Sequence, residues 1–275
     1  MRGRKVHTAT QMKKIGDRTS PDSGVPKRHL SPPRNATFSK LKMKWFRQIQ
    51  FWDDLEPRDG PMQMAVDQAL LEQATLPVLR VYRWSSPCVS IGYFESRAAA
   101  QVLHSGLNVF RRWTGGGLVL HNGDRPYSLI VPRSEPFARI PPRDSYQILH
   151  GLLASTLRPR LPSLEISGLP GPSRSRVCFE NPVPGDLLLK GRKIAGAGQR
   201  RNRAGFLHQG SLLGLTDFTE ARLFAQLLAE NVLTLQPGSE LLQQAARLHT
   251  ERYGTESWNQ DKNTRKTGEP KATST

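Results

Sequence analysis

The residues of this 275-residue chain best suited to chemistry are Cys178, Lys193 and the run Arg111-Arg112-Trp113-Thr114-Gly115-Gly116-Gly117-Leu118-Val119-Leu120-His121. Three successive glycines lose much backbone entropy on folding. The usual reason to accept that loss is a backbone that must approach something closely, with bare N–H groups aimed at an anion or a carbonyl. Arg111 and Arg112 alternate across a strand end, so only one can face the glycine side. A guanidinium there is a forked donor for a phosphate or carboxylate. The run lacks the Lys-Ser/Thr ending of a P-loop and the spacing of a dinucleotide fingerprint. A flexible hairpin between solvated arginines has the same composition, so both readings stand at this level.

Lys193 opens a strand and is followed by small residues at 195 to 198, which leave room beside the backbone for an extended ligand. A lysine lying along such a groove presents one compact positive charge to a carbonyl or phosphoryl oxygen. A solvated lysine at a strand end fits the same residues. Cys178 lies fifteen residues earlier, and Pro182 to Gly185 supply a turn that can return the chain past Lys193. A nearby cation lowers a thiol pKa and makes a thiolate nucleophile, while an inert buried cysteine is the other reading of Cys178. Cys88 is the only other cysteine. Two distant cysteines support neither a zinc site nor a disulfide framework, so no metal is expected.

The elements around these residues follow from periodicity. The spacing of Met62, Ala65, Val66, Ala69 and Leu70 after the turn Asp59-Gly60-Pro61 predicts a helix. Residues 79–82 and 88–91 read as strands, and Ser96 caps a short helix to about Leu103, closed by Gly106. Strands are expected at 108–112, 118–121 and 127–131, then a helix capped by Asp144 and bearing Ile148, Leu149, Leu152 and Leu153. Residues 161–176 read as a loop. A meander over 186–189, 193–197 and 206–213 follows, turning at Lys190-Gly191 and at 202–205. Helices are expected at 217–230 and 238–251, and a polar, disordered end from Thr255. Consecutive strands with helices between the groups indicate an α+β fold with a mixed, mostly antiparallel sheet and flanking helices.

The formal charge of +17 resembles that of a nucleic-acid binder. Residues 1–44, however, hold twelve of the Lys and Arg residues against Asp17 and Asp22, a net +10, leaving +7 over the other 231. That segment has little hydrophobic periodicity and reads as a disordered basic tail, with a transit-type presequence or a nucleic-acid arm as the other readings. Specific nucleic-acid binding by the folded part is not expected, because it requires basic and aromatic residues interleaved on one face. No run reaches the roughly 18 apolar residues of a membrane helix, and no apolar stretch follows the basic start. A cytoplasmic protein is the expectation.

Taken together, these segments resemble the lipoate-protein ligase and octanoyltransferase family, which is related to biotin protein ligases. The resemblance is carried by residues 60–67, by Leu79 to Trp84 with Ser90-Ile91-Gly92-Tyr93-Phe94, by Arg111 to His121, and by Gly191 to Arg200 with His208-Gln209-Gly210-Ser211-Leu212. These motifs occur in family order across about residues 45–250. The resemblance implies a fold of the class II aminoacyl-tRNA synthetase and biotin synthetase type, with a catalytic domain over 45–252 between polar tails, 1–44 and 253–275. It implies a substrate site lined by Arg112, Thr114, Gly115, Gly116, Gly117, Leu118, Val119, His121, Gly196 and His208, and a Lys193 that contacts the acyl carbonyl. One departure is Asp67-Gln68 where the family often has Asp-Glu.

Cys178-Phe179-Glu180 is similar to the nucleophile position of the octanoyltransferases that resemble ligases in sequence. That similarity implies acyl transfer from octanoyl-acyl carrier protein, through a thioester on Cys178, to a lysine of a lipoyl acceptor domain or glycine cleavage H protein, with no tightly bound cofactor. His121 and His208 are candidates for proton transfer. The competing expectation within the family is a lipoate ligase acting through an adenylate with ATP and magnesium.

Overall fold

A computed structural model describes residues 44–168, 181–215 and 217–260, all within one compact unit. Its main sheet has eight strands in the order β11-β1-β2-β6-β10-β9-β8-β7. These are β1 (Phe46–Asp53), β2 (Val78–Val81), β6 (Arg125–Pro132), β7 (Leu164–Ile166), β8 (Leu187–Leu189), β9 (Arg192–Arg201), β10 (Gly205–Leu212) and β11 (Ala229–Thr234). Strands β1, β2 and β11 run parallel, and every other neighbouring pair is antiparallel. A second sheet places β3 (Cys88–Ile91) between β4 (Asn108–Arg111) and β5 (Val119–His121). The mixed, mostly antiparallel sheet with flanking helices is as expected.

Two-residue alternation in the central strands builds a core on each face. Leu79, Leu129, Val131 and Phe206 pack with α3 (Pro142–Leu157) and α4 (Ala221–Leu228) through Leu149, Leu153, Leu157, Phe224 and Leu228. Val78, Ile130 and Leu207 face the other way, onto Ala65, Val66, Ala69 and Leu70 of α1 (Gly60–Gln73) and Leu241 and Ala245 of α5 (Ser239–Leu248). Helix α1 starts where expected: Pro61 sits in its first turn and the Asp59 side chain accepts from the Met62 N–H at 2.8 Å. Ser96 caps α2 (Arg97–Leu103) as expected.

Four expectations are corrected. Asp144 lies inside the first turn of α3, where a carboxylate meets the positive helix end, and the cap position is Pro141. The expected loop 161–176 contains β7, a short strand paired with β8. The helix expected over 217–230 stops at Leu228, and Ala229–Thr234 pairs with β1. At that sheet edge, ladder hydrogen bonds outweigh local helix propensity. The end expected to be unstructured from Thr255 forms α6 (Glu256–Asn259), capped by the Thr255 side chain. It docks by tertiary contacts that periodicity does not report: Trp258 Nε1–H donates to the Arg111 carbonyl at 2.9 Å, and Asn259 Oδ1 accepts from the Arg111 N–H at 2.8 Å. Of the expected tails 1–44 and 253–275, residues 1–43 and 261–275 lie outside the described residues.

Candidate active site

The glycine segment joins β4 to β5, and its two arginines divide as strand alternation requires. Arg111 is fully buried and donates to the carbonyls of Gly92, Tyr93, Glu95, Asn259 and Gln260, which ties the chain around it to α6. Arg112 faces the glycines. Its Nη2 donates to the carbonyls of Gly115 at 3.1 Å and Gly117 at 2.7 Å, and its Nη1 to Ser90 Oγ at 2.9 Å. In this arrangement the guanidinium buttresses the loop, because the loop curls its own carbonyls onto it.

Glycine is required where the backbone of the glycine loop touches neighbouring segments. A Cβ on Gly92 would sit 1.7 Å from the Gly116 oxygen, and one on Gly198 would sit 2.6 Å from the Gly115 oxygen. Gly116 itself has φ +96°, a left-handed conformation open to glycine. The loop is also tied to the core by a buried chain of polar groups. Thr114 Oγ1–H donates to Gln209 at 2.9 Å, Gln209 Nε2–H donates to Asp67 at 2.7 Å, and Asp67 pairs with the buried Arg80 at 2.7 Å. Asp67 is thus an anchor of the loop. Gln68, at the departure from the family pattern, accepts from Arg252 and the Tyr253 hydroxyl.

Lys193 lies at the start of β9 with its side chain only 5% exposed, and its Nζ is 2.8 Å from Asp186 Oδ2. Asp186 is buried. Its Oδ2 also accepts from the Val183 N–H at 2.7 Å, and its Oδ1 from the Tyr146 hydroxyl at 2.5 Å. The Tyr146 oxygen in turn accepts from the Ala197 N–H at 3.1 Å, so α3 and β9 together hold the carboxylate that orients the lysine. Burial, with Asp186 alongside, pushes the Tyr146 hydroxyl well above its usual range, which keeps it a donor. The small residues after Lys193, Gly196 to Gly198, line the cleft and also make room for the lysine itself. A Cβ on Gly196 would lie 2.4 Å from Lys193 Cε, so the lysine lies across that glycine.

Lys193, Gly196, Gly116, Arg112, Val119 and His121 line one cleft, together with Met64, Trp84, Ser90, Gln209 and Ser211. Its volume is about 540 Å³, including the open mouth. Of the other expected lining residues, Thr114 is buried beneath the loop on Gln209, and Gly115 and Gly117 turn their carbonyls to Arg112. Leu118 packs in a separate small core with Val89, Ile91 and Val109. His208 lies away from the cleft lining, because strand alternation on β10 sends it to the α3 face while Gln209 and Ser211 face the cleft. There its ring stacks near Tyr127 and His150, and burial drives its pKa well below the usual histidine value. It is corrected to a core residue.

Cys178 lies outside the described residues. Cys88 is buried on β3, and burial, followed by the charges of Asp124 and Asp59, pushes its thiol up to about 12. Among the described residues no group of three or more His, Cys, Asp or Glu side chains is arranged to hold a metal, and no helix is long and apolar enough to cross a membrane. Sequence reasoning missed Asp186, Tyr146, Ser90, Asp124 and Gln209. Ser90 and Gln209 lay within motifs that carry the resemblance, Asp186 followed a Pro-Gly turn seven residues before Lys193, and Tyr146 and Asp124 left no local signal.

The lipoyl protein ligase A/B catalytic domain model matches residues 59–239. The chain is similar to octanoyltransferase LipM of Staphylococcus aureus, at 35% identity over 192 residues, 63% of this chain and 68% of that protein. It is also similar to LipM of Geobacillus kaustophilus, at 36% identity over 59% and 63% of the two chains, and to LipM of Bacillus subtilis, at 35% over 58% and 63%. The chain thus spans about two thirds of the length of these relatives. The fold is shared with a putative lipoate protein ligase of T. acidophilum (TM-score 0.62, 20% identity, 77% of this chain and 98% of that one). It is equally shared with lipoate-protein ligase A bound with ATP (TM-score 0.61, 19% identity, again 77% and 98%). With the glycine cleft, its lysine and these similarities in agreement, the chain belongs to the lipoyl protein ligase A/B catalytic-domain family.

Proposed function

We propose that this chain is an octanoyltransferase of protein lipoylation, working in the cytoplasm without a tightly bound cofactor. It takes an octanoyl group from acyl carrier protein and delivers it to a lysine of a lipoyl acceptor domain or glycine cleavage H protein. The observation that carries this reading is the nearly buried Lys193, fixed by Asp186 in a cleft walled by glycine backbone. A preorganised cation in a water-poor site stabilises the oxyanion of acyl transfer.

In the first step the Cys178 thiolate attacks the donor thioester, and Lys193 with backbone N–H groups carries the developing negative charge. Lys193 also favours the Cys178 thiolate. In the second step the acceptor amine attacks the Cys178 acyl-enzyme. The engagement of Arg112 with its own loop supports this reading over an adenylate mechanism, which needs open phosphate donors.

Intact-mass analysis after incubation with octanoyl-acyl carrier protein, without ATP, tests the proposal. One octanoyl adduct is expected in the full chain and none in Cys178→Ser. Cys88 offers no competing thiol, being buried with its pKa pushed to about 12. No adduct without ATP, but lipoate adenylation once ATP and magnesium are added, would overturn the proposal in favour of the ligase.

A further inference from the structure

One wall of the cleft holds a second arrangement, distinct from the lysine pair. His121 Nδ1 is 2.7 Å from Asp124 Oδ2, and His121 Nε2 is 2.8 Å from Ser90 Oγ. Arg112 Nη1 reaches the same Ser90 oxygen at 2.9 Å. Donor and acceptor chemistry constrains the direction of these hydrogen bonds. A guanidinium only donates, so the Ser90 oxygen accepts from Arg112 and its own hydrogen is left for His121. A carboxylate only accepts, so Nδ1 carries the proton toward Asp124, and a ring with that single proton leaves Nε2 to accept from Ser90.

Asp124 is kept ionised for this purpose. Burial alone would raise its pKa, but the charge of His121 and hydrogen bonds from His121, Ser211 and Trp84 outweigh burial and hold it below the ordinary carboxylate value. Trp84 and the His121 ring are packed with centroids 4.4 Å apart, which limits the imidazole's rotation. Ser90 and His121 both line the cleft. The result is a carboxylate, an imidazole and a hydroxyl in series, the arrangement by which an imidazole accepts a proton and a carboxylate stabilises the imidazolium that forms.

We propose that Asp124, His121 and Ser90 form a proton relay serving attack by the acceptor lysine amine, a role that rests on the octanoyl-transfer reading above. As the neutral amine nitrogen bonds to the thioester carbonyl carbon, its proton passes to Ser90 Oγ while the Ser90 hydroxyl proton moves to His121 Nε2. The C–S bond then breaks, and the imidazolium, held by Asp124, returns the proton through Ser90 to the departing thiolate. An amide and a thiol result, and the relay regains its starting protonation. Ser90 acts on the reacting atoms, His121 acts through Ser90, and Asp124 positions the imidazole.

The test separates the two half-reactions in the full-length protein. Acyl-enzyme formation from octanoyl-acyl carrier protein and transfer from the loaded enzyme to a lipoyl domain are timed by intact mass. The wild type is compared with His121→Ala, Ser90→Ala and Asp124→Asn, all with thermal unfolding checked. Transfer is expected to fall roughly 10²- to 10⁴-fold, the usual worth of a positioned proton acceptor, and far more than loading falls. Raising the pH, which supplies hydroxide as an alternative acceptor for the proton lost as the amine attacks, is expected to restore part of the Asp124→Asn rate, and added imidazole part of the His121→Ala rate.

Equal losses in both half-reactions, or failure of both rescues, would make the cluster structural and overturn the relay. If the His121 variant does not fold, Ser90→Ala, which deletes only one oxygen, decides alone. A wild type that takes no octanoyl adduct sinks the transferase reading itself. A wild type that loads and transfers beside variants that match it sinks only the relay.

Discussion

At the residue scale the site depends on one buried cation and the space that admits it. Lys193 has its Nζ 2.8 Å from Asp186, and Gly196 provides the gap its stem lies across. Lys193→Ala is expected to lower kcat/KM by about 10² to 10³, the usual loss when one oxyanion donor is removed. Lys193→Arg is expected to recover little of it, because a planar fork does not occupy the volume of a compact ammonium. Gly196→Ala is a sharper case. Its new Cβ would meet the far end of the flexible Lys193 side chain, with the buried Asp186 Oδ1 3.3 Å away, so activity should fall with the displaced Nζ by far more than the unfolding temperature. Thermal unfolding beside a single-turnover octanoyl transfer assay checks both halves. Lys193 was legible through the motif resemblance, whereas Asp186 left only its place after a Pro-Gly turn and Tyr146 nothing, since the spacing between residues 146, 186 and 193 encodes no local period.

At the scale of elements, what matters is how loops are pinned to strands. The glycine loop rests on a buried chain from Thr114 through Gln209 to Asp67 and Arg80. Asp67→Ala leaves a buried guanidinium with one carboxylate fewer and is expected to cost about 3 to 5 kcal/mol, measured by urea unfolding. Gly92→Ala contrasts with Gly196→Ala, because its Cβ would strike the Gly116 backbone oxygen. It is expected to lower stability and activity together, by at least about 1 to 3 kcal/mol in unfolding. Strand and helix positions around this loop were readable from two-residue and helical periods: β3 falls on residues 88–91 as expected, and α2 follows its Ser96 cap. Strand β11 was not readable, since Ala229 to Thr234 becomes a strand only because β1 offers an edge to pair with. Helix α6 is hidden for a related reason: one Trp among polar residues has no period, and its stability comes from Arg111.

For the molecule as a whole, two cores on opposite faces of one sheet carry buried histidines whose neutrality has a pH signature. Burial lowers the His150 pKa to about 4 against an unfolded value of about 6.5. Between those values the unfolded chain binds the extra proton, so unfolding free energy rises with pH from about 4 to 6.5. His150 alone is expected to remove about 2 kcal/mol on going from pH 7.5 to pH 5, and denaturant midpoints across that range in the wild type and His150→Gln check it. The basic residues of 1–44 set most of the +17 charge, and a variant lacking them is expected to lose non-specific DNA retention while keeping octanoyl transfer. The order of residues alone was enough for the fold class and for the fact that only one of Arg111 and Arg112 faces the glycine run, because periodicity and alternation are local properties of a chain; the motif resemblance singled out Arg112 and Lys193. The tertiary structure alone decided that Arg112 holds its own loop, that His208 belongs to the core and His121 to the cleft, and that Asp186 and Asp124 stand behind the lysine and the imidazole. Those facts arise where distant segments meet, and which partner a buried charge finds is a matter of packing in three dimensions, to which no spacing along the chain corresponds.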